Sequence, residues 1–394
     1  MNKLKFIIIT LFLVNFFGLI KIPNAYLLVC LIPGIIGGIR KKPIFTKEFI
    51  ILIIGLICNY CSSYYYEGQS FLHSFMICAN LLYLSYYFFL VKYNIDVKTV
   101  EDSTIFLCLI FCLLYIVQFI LLQYNIYIFS SLDLNNDHGI DTRFRLPASG
   151  LASLSYFIGL NGILLKERKR TSMILIVLGL GVLLIMAFRT MLAGVVLFSF
   201  IMYVKIKGFN VKILKYLFVT GVICSIIYFI PIFKSKIDYM IDKQMEGTET
   251  LNNKDYIRVI TYEYYTKDKL NNPIEYFFGM GLPFPNSKLG KEQSDLGESY
   301  GIFTADWGLL GLSWNLGIIP VLVMVFYSIK VFLIKKPKYF QYLGIWMLYL
   351  LLISITTAEF YRTGNYVIQA IVLYLCYKVK IKDENRNINV SQSF

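Results

Sequence analysis

Twelve apolar stretches, parted mostly by short polar connections, limit what this chain can become more than any other feature of it. A helix needs about 20 mainly apolar residues to cross a bilayer core. Runs near that length fall at 5–20, 24–39, 48–62, 71–91, 104–128, 148–165, 173–188, 190–204, 212–232, 303–329, 340–356 and 363–378. With 57% hydrophobic and 16% charged residues and a mean hydropathy of +0.64, the chain has too little polar surface for a soluble domain. The expectation is an all-α, polytopic integral membrane protein of about 12 transmembrane helices. The first run follows Lys3 and Lys5 as a signal peptide would, but NFFGLIKIPNAY has no small-residue cleavage site, so it is read as a retained helix.

Charge gives the runs a direction, because cytoplasmic connections are enriched in Lys and Arg. With both termini inside, the cytoplasmic segments hold 24 of the 38 basic residues, and nine more lie in one long outer loop. The expected organisation is helices 1–9 over residues 1–232, a large extracytoplasmic loop over 233–302, helices 10–12 over 303–378 and a cytoplasmic tail over 379–394. The net charge of +14 is therefore mostly topological, and nucleic acid is not an expected partner. No inner loop is long enough for a soluble domain, there is no Walker-type loop, and GMG at 279–281 is too short for a dinucleotide fingerprint. All eight cysteines lie in or beside apolar runs, and Cys58 and Cys61 have no second ligand pair. His138 stands with Asp133, Asp137 and Asp141 in DLNNDHGIDTRFR, which reads better as a polar turn than as a cation site. No metal and no cofactor is expected.

Against this background one charge stands out: Arg189, inside an apolar stretch running from Met173 to Val204. Arginine cannot shed its proton to escape burial. It therefore faces a polar cavity, or else snorkels to the headgroups. The short outer connections hold Lys21, Arg143, Arg145, Arg189 and Arg362, so four of five are Arg in a chain with 29 Lys and 9 Arg. Arginine's planar fork suits phosphate. An outer cluster that opposes the inside bias points to an anionic ligand, with a lipid-linked phosphate or diphosphate the natural candidate.

Four segments occur in an order that resembles the family of bacterial O-antigen and capsular polysaccharide polymerases and O-antigen ligases. They are RFRLPASGLASLSYFIGLNGILL, AFRTMLAGVVL, DYIRVITYEYYTKDKLNNPIEYFFGMGLPF and ADWGLLGLSWNLGIIPVL, spread over roughly residues 140–330. The layout of many helices with one large, late outer loop extends the likeness. Phe188 stands where that family usually has serine, and no histidine lies near the helix that follows the loop, where many ligases carry one. These departures favour a polymerase over a ligase.

The resemblance implies metal-independent glycosyl transfer at the outer face of the cytoplasmic membrane, between undecaprenyl-diphosphate-linked glycans serving as donor and acceptor. Candidate partners are the lipid bilayer, a flippase and a chain-length regulator. A flippase is the main alternative function, but no internal repeat supports it. By motif match Arg145 and Arg189 would clamp the diphosphate, with Arg143 as a neighbour and Arg258 as a further candidate. On YIRVITYEYY, helical spacing groups Ile257, Ile260 and Tyr264 on a buried face and Arg258, Tyr262 and Tyr265 on another. Arg362, without a family match, reads as an interfacial anchor. The acceptor hydroxyl needs a base, for which Asp306 and Glu298 are the candidates. Asp306 also stands where an N-cap would.

Overall fold

A computed structural model describes residues 1–20, 24–129, 133–137, 141–186, 189–209 and 256–391. The candidate run 212–232, Phe188 and His138 lie outside the described residues. Among the described residues the only strands are those of one short hairpin and the rest of the regular structure is helical, and the long apolar helices point to a membrane protein. Among the described residues five helical segments are long and apolar enough to cross a bilayer, namely Thr46–Glu67, Phe71–Tyr93, Val97–Leu122, Lys169–Met186 and Arg189–Lys207. Four shorter apolar helices accompany them.

In chain order the first helices are α1 (Lys3–Leu13), α2 (Asn24–Ile39), α3 (Thr46–Glu67), α4 (Phe71–Leu82), α5 (Tyr86–Tyr93) and α6 (Val97–Leu122). A 3-10 turn at Tyr83–Ser85 joins α4 to α5, so the expected run 71–91 is one continuous helical segment. The hairpin follows, β1 (Asp133–Asp137) pairing antiparallel with β2 (Asp141–Arg145), Asp133 opposite Arg145. Then come α7 (Gly150–Leu165), α8 (Lys169–Met186) and α9 (Arg189–Lys207). After residue 256 the chain forms α10 (Ile257–Glu263), α11 (Pro273–Phe278), α12 (Lys288–Tyr300), α13 (Gly308–Leu316), α14 (Ile318–Leu333), α15 (Gln341–Ile353) and α16 (Asn365–Ser391).

The core centres on α16. From Tyr366 through Cys376 its residues are almost wholly buried, as expected of a helix that is apolar all round. Its polar side chains are matched: Gln369 donates to the Phe360 carbonyl at 2.7 Å and accepts from the Tyr327 hydroxyl. Inside a low-dielectric bundle such pairing is obligatory, since an unmatched amide would cost several kcal/mol.

The expected single helix over 303–329 is instead two, α13 and α14, parted at Gly317 (φ 85°). The cause is tertiary. Segment 279–281 runs against the end of α13, with Met280 N donating to Trp314 O (3.0 Å) and Gly281 N to Asn315 O (2.8 Å). A Cβ on Gly317 would overlap the Phe277–Phe278 backbone, and one on Gly279 would overlap Asn315 and Gly317. GMG is thus a close-approach clasp. Asn59 of α3 seals it by donating to Phe278 O and Asn315 O, and Ser62 by donating to Gly279 O. Around the clasp, residues 257–302 build a small core of their own from Tyr265, Leu270, Met280, Leu289 and Ile302, closed by Trp314.

Candidate functional site

Arg145 ends β2, and the chain fixes it from the preceding residue. Phe144 stacks on Tyr115 of α6 with ring centroids 4.3 Å apart, and the Tyr115 hydroxyl donates to Phe144 O at 2.7 Å. Beyond Arg145, residues 148–150 lie along 359–365. Ala148 N donates to Thr363 O at 2.8 Å, and Ala148 itself has φ 65°, an uncommon left-handed conformation for a residue with a Cβ. Gly364 (φ 83°) permits the approach, because a Cβ there would press on Ala148.

Ser149 occupies the N-cap position of α7 but makes no capping bond. Its hydroxyl donates instead to Glu359 Oε2 at 2.6 Å, and Asn365 Oδ1 satisfies the backbone N–H of Gly150 at 2.9 Å. Diverting a serine from its favoured role brings it to a buried carboxylate. Glu359 Oε1 meets Arg362 Nε at 3.0 Å and Arg145 Nη1 at 3.7 Å, while Asn365 Nδ2 donates to the Glu359 carbonyl at 2.6 Å. Burial raises the Glu359 pKa, whereas the Arg145 guanidinium and the Ser149 and Asn365 hydrogen bonds pull it back toward the ionised form.

Tyr361 links this cluster to Asp306. Burial pushes its phenol up, and its surroundings include Asp306, Arg145 and Glu359. The Tyr361 hydroxyl donates to Gly308 O at 3.4 Å, and Leu309 N donates to Ser354 O at 2.8 Å, so the start of α13 is tied to the end of α15. Asp306 is half-buried in the 3-10 turn 304–307. Trp307, not Asp306, holds the N-cap position of α13, without a side-chain capping bond.

The other candidates take varied positions. Arg189 is the exposed first residue of α9. Two residues on, Met191 O accepts from the Tyr349 hydroxyl at 3.3 Å, and Tyr349 lies in the field of Glu359. Arg258 is exposed, but its carbonyl accepts from Trp307 Nε1 at 3.0 Å, which ties its backbone to the residue after Asp306. Arg143 lies on β2 with its Cα opposite Asn135. Glu298 lies on the exposed face of α12, accepting from Ser294 at 3.0 Å.

Two expectations need correction. Arg362, expected as an interfacial anchor, has a side chain only 14% exposed and pairs with the buried Glu359. On α10, Tyr265 is buried with Thr261, while Ile260 is exposed. Thr261 and Tyr265 stand four residues apart on one face, and Tyr265 stacks on Trp314 with ring centroids 4.9 Å apart, so a partner remote in the chain decides which face is buried. Glu359 escaped the sequence reading because it belongs to no motif and its partner Arg145 is remote in the chain. The available signal was its place three residues before an outer-connection arginine, a spacing that lets helical neighbours pair. His73, the other histidine, stacks on Phe284 at 4.3 Å. Among the described residues no group of three His, Cys, Asp or Glu side chains could hold a metal ion. The chain matches no protein-family model, no curated protein and no solved structure.

Proposed function

We propose that this chain is a polymerase of lipid-linked oligosaccharide repeat units, with about 12 transmembrane helices, both termini in the cytoplasm and its active site at the outer face of the cytoplasmic membrane. The observation that supports the reading is that Arg145 and Asp306 both act electrostatically on Tyr361, whose hydroxyl donates to the carbonyl of Gly308, two residues from Asp306. The two come from separate segments, each singled out for a different part of one reaction. Arg189 at the start of α9 and Arg258 beside Trp307 extend the basic character of the same end.

The chemistry follows from the substrates. The acceptor hydroxyl oxygen attacks C1 of the donor sugar, the bond from C1 to the phosphate oxygen breaks, and undecaprenyl diphosphate departs with the electron pair. Guanidinium groups stabilise the charge that develops on the diphosphate. Asp306 accepts the hydroxyl proton. Activation already resides in the diphosphate, so the reaction draws on no nucleotide. Holding two lipid-tethered glycans in line supplies much of the remaining rate.

Gel analysis of the surface polysaccharide tests the proposal. Deleting the gene is expected to remove high-mass polymer and leave single lipid-linked repeat units. Complete polymer still attached to its carrier would indicate a ligase instead. Asp306→Asn, at normal protein abundance, is expected to reproduce the deletion, and full-length polymer from that variant would exclude Asp306 as the base. A reporter fused at Gly290 is expected outside the cell, and a cytoplasmic signal there would end the reading.

A further inference from the structure

We infer that Glu359 is the positioning residue of a two-arginine anion site, its carboxylate fixing Arg145 and Arg362 together for a phosphate-bearing ligand. The inference rests on the reading of this end of the bundle as the diphosphate site, and it adds Arg362 to the groups that meet the ligand. One carboxylate oxygen serves both guanidinium groups, Arg362 Nε at 3.0 Å and Arg145 Nη1 at 3.7 Å. The second oxygen accepts from Ser149 at 2.6 Å, and Asn365 holds the Glu359 backbone at 2.6 Å. Glu359 is thus fixed from α7 and α16 at once.

The members differ in burial. The Glu359 side chain is 2% exposed, whereas both arginine side chains are 14% exposed. The carboxylate is therefore the more deeply buried member, and each guanidinium group retains some exposure. Two like charges on flexible stems would otherwise separate, and a mobile arginine side chain has rotamer entropy to lose on binding. A fixed acceptor shared by them removes part of that cost before the ligand arrives and sets the planes for bidentate contact. Ser149, freed from capping α7, orients the acceptor.

Inorganic diphosphate and the purified full-length protein in detergent provide the test, read by titration calorimetry. Glu359→Gln changes two things with opposite signs: it makes the site more positive, which favours an anion, and it loosens both arginines, which disfavours one. Positioning predicts that diphosphate binds about tenfold or more weakly in Glu359→Gln, the loss of a charge-assisted hydrogen bond, with part of the affinity restored in Glu359→Asp. Binding as tight as wild type, or tighter, overturns the inference and leaves the diphosphate site standing. A wild-type protein that does not bind diphosphate overturns both. If Glu359→Gln fails to fold, Ser149→Ala carries the test, because it removes one hydrogen bond and leaves the charge. A several-fold weakening is expected, and unchanged affinity overturns the inference.

Discussion

An arginine–carboxylate pair braces each end of α7, and the two differ in nearly everything except their chemistry. Before its N-terminus, Arg145 and Glu359 have side chains 14% and 2% exposed, with Ser149 and Arg362 completing the set. Past its C-terminus, Arg168 and Asp102 meet at 3.1 Å, closer than the first pair, yet are 41% and 32% exposed. Distance alone would rank the second pair as the stronger. Burial reverses the ranking, because water screens an exposed pair to a few tenths of a kcal/mol, whereas a buried charge stripped of its partner has nothing to replace it. An exposed pair can be lost at little cost, while a buried, multiply bonded one commits its surroundings to a single geometry. That commitment is what a binding site requires.

The largest effect should come from Glu359→Ala. It removes the carboxylate that pairs with Arg145 and Arg362, and breaking a buried pair from one side costs about 3–5 kcal/mol. The expected outcome is a large drop in the thermal midpoint in detergent, or loss of the protein from membranes. A midpoint within a degree or two of wild type would show that water reaches Glu359, and the contrast between the two ends would collapse.

How much of this end was legible beforehand depends on which forces hold each part. Apolar run length could not find α10, α11 and α12, which are not apolar runs, but it located the described helices outside residues 257–302, because crossing a bilayer is a property of a contiguous segment. The break at Gly317 was invisible for the same reason: its flanks are apolar on both sides, and it exists only because segment 277–279 packs against it. Arg145 and Asp306 could be singled out, since charge in or beside apolar sequence is conspicuous. Glu359 could not, as its importance arises from Arg145, Ser149 and Asn365, partners assembled by folding. The misassigned face after Ile257 has the same kind of origin as Glu359, since Tyr265 is buried by stacking on Trp314, a partner brought to it by folding.

A smaller effect sharpens the contrast at the Arg168 end. Lys336 lies in the connection between α14 and α15, donating to the carbonyls of Val331 and Ile334, with Lys205 and Cys376 nearby. Burial lowers its pKa to about 8. Below that pH the ammonium is charged in folded and unfolded chains alike, and the full cost of burying it is present. Between about 8 and the ordinary lysine value near 10.4 the unfolded chain holds the proton and the folded chain does not, so stability rises with pH. The thermal midpoint is expected to climb across that window in the wild type, and the climb should flatten in Lys336→Gln. An identical slope in the variant would mean that the Lys336 ammonium is solvated and contributes no buried charge to this end.

The smallest effect is expected at the exposed pair itself. Asp102→Ala and Arg168→Ala should each change stability by no more than about 1 kcal/mol, and a double-mutant cycle should assign the pair about 0.2–1 kcal/mol, shrinking as salt rises. The cycle is cleanest here because both side chains are partly open to water, so neither single variant strands a charge. Arg168 has further carboxylate surroundings, since Glu101 also lies in its field, and this is the one route by which the pair could outgrow its exposure. If the coupling exceeds about 2 kcal/mol and survives high salt, Glu101 and Asp102 act on Arg168 as one network. The end that looks dispensable would then be built on the same principle as the Glu359 cluster.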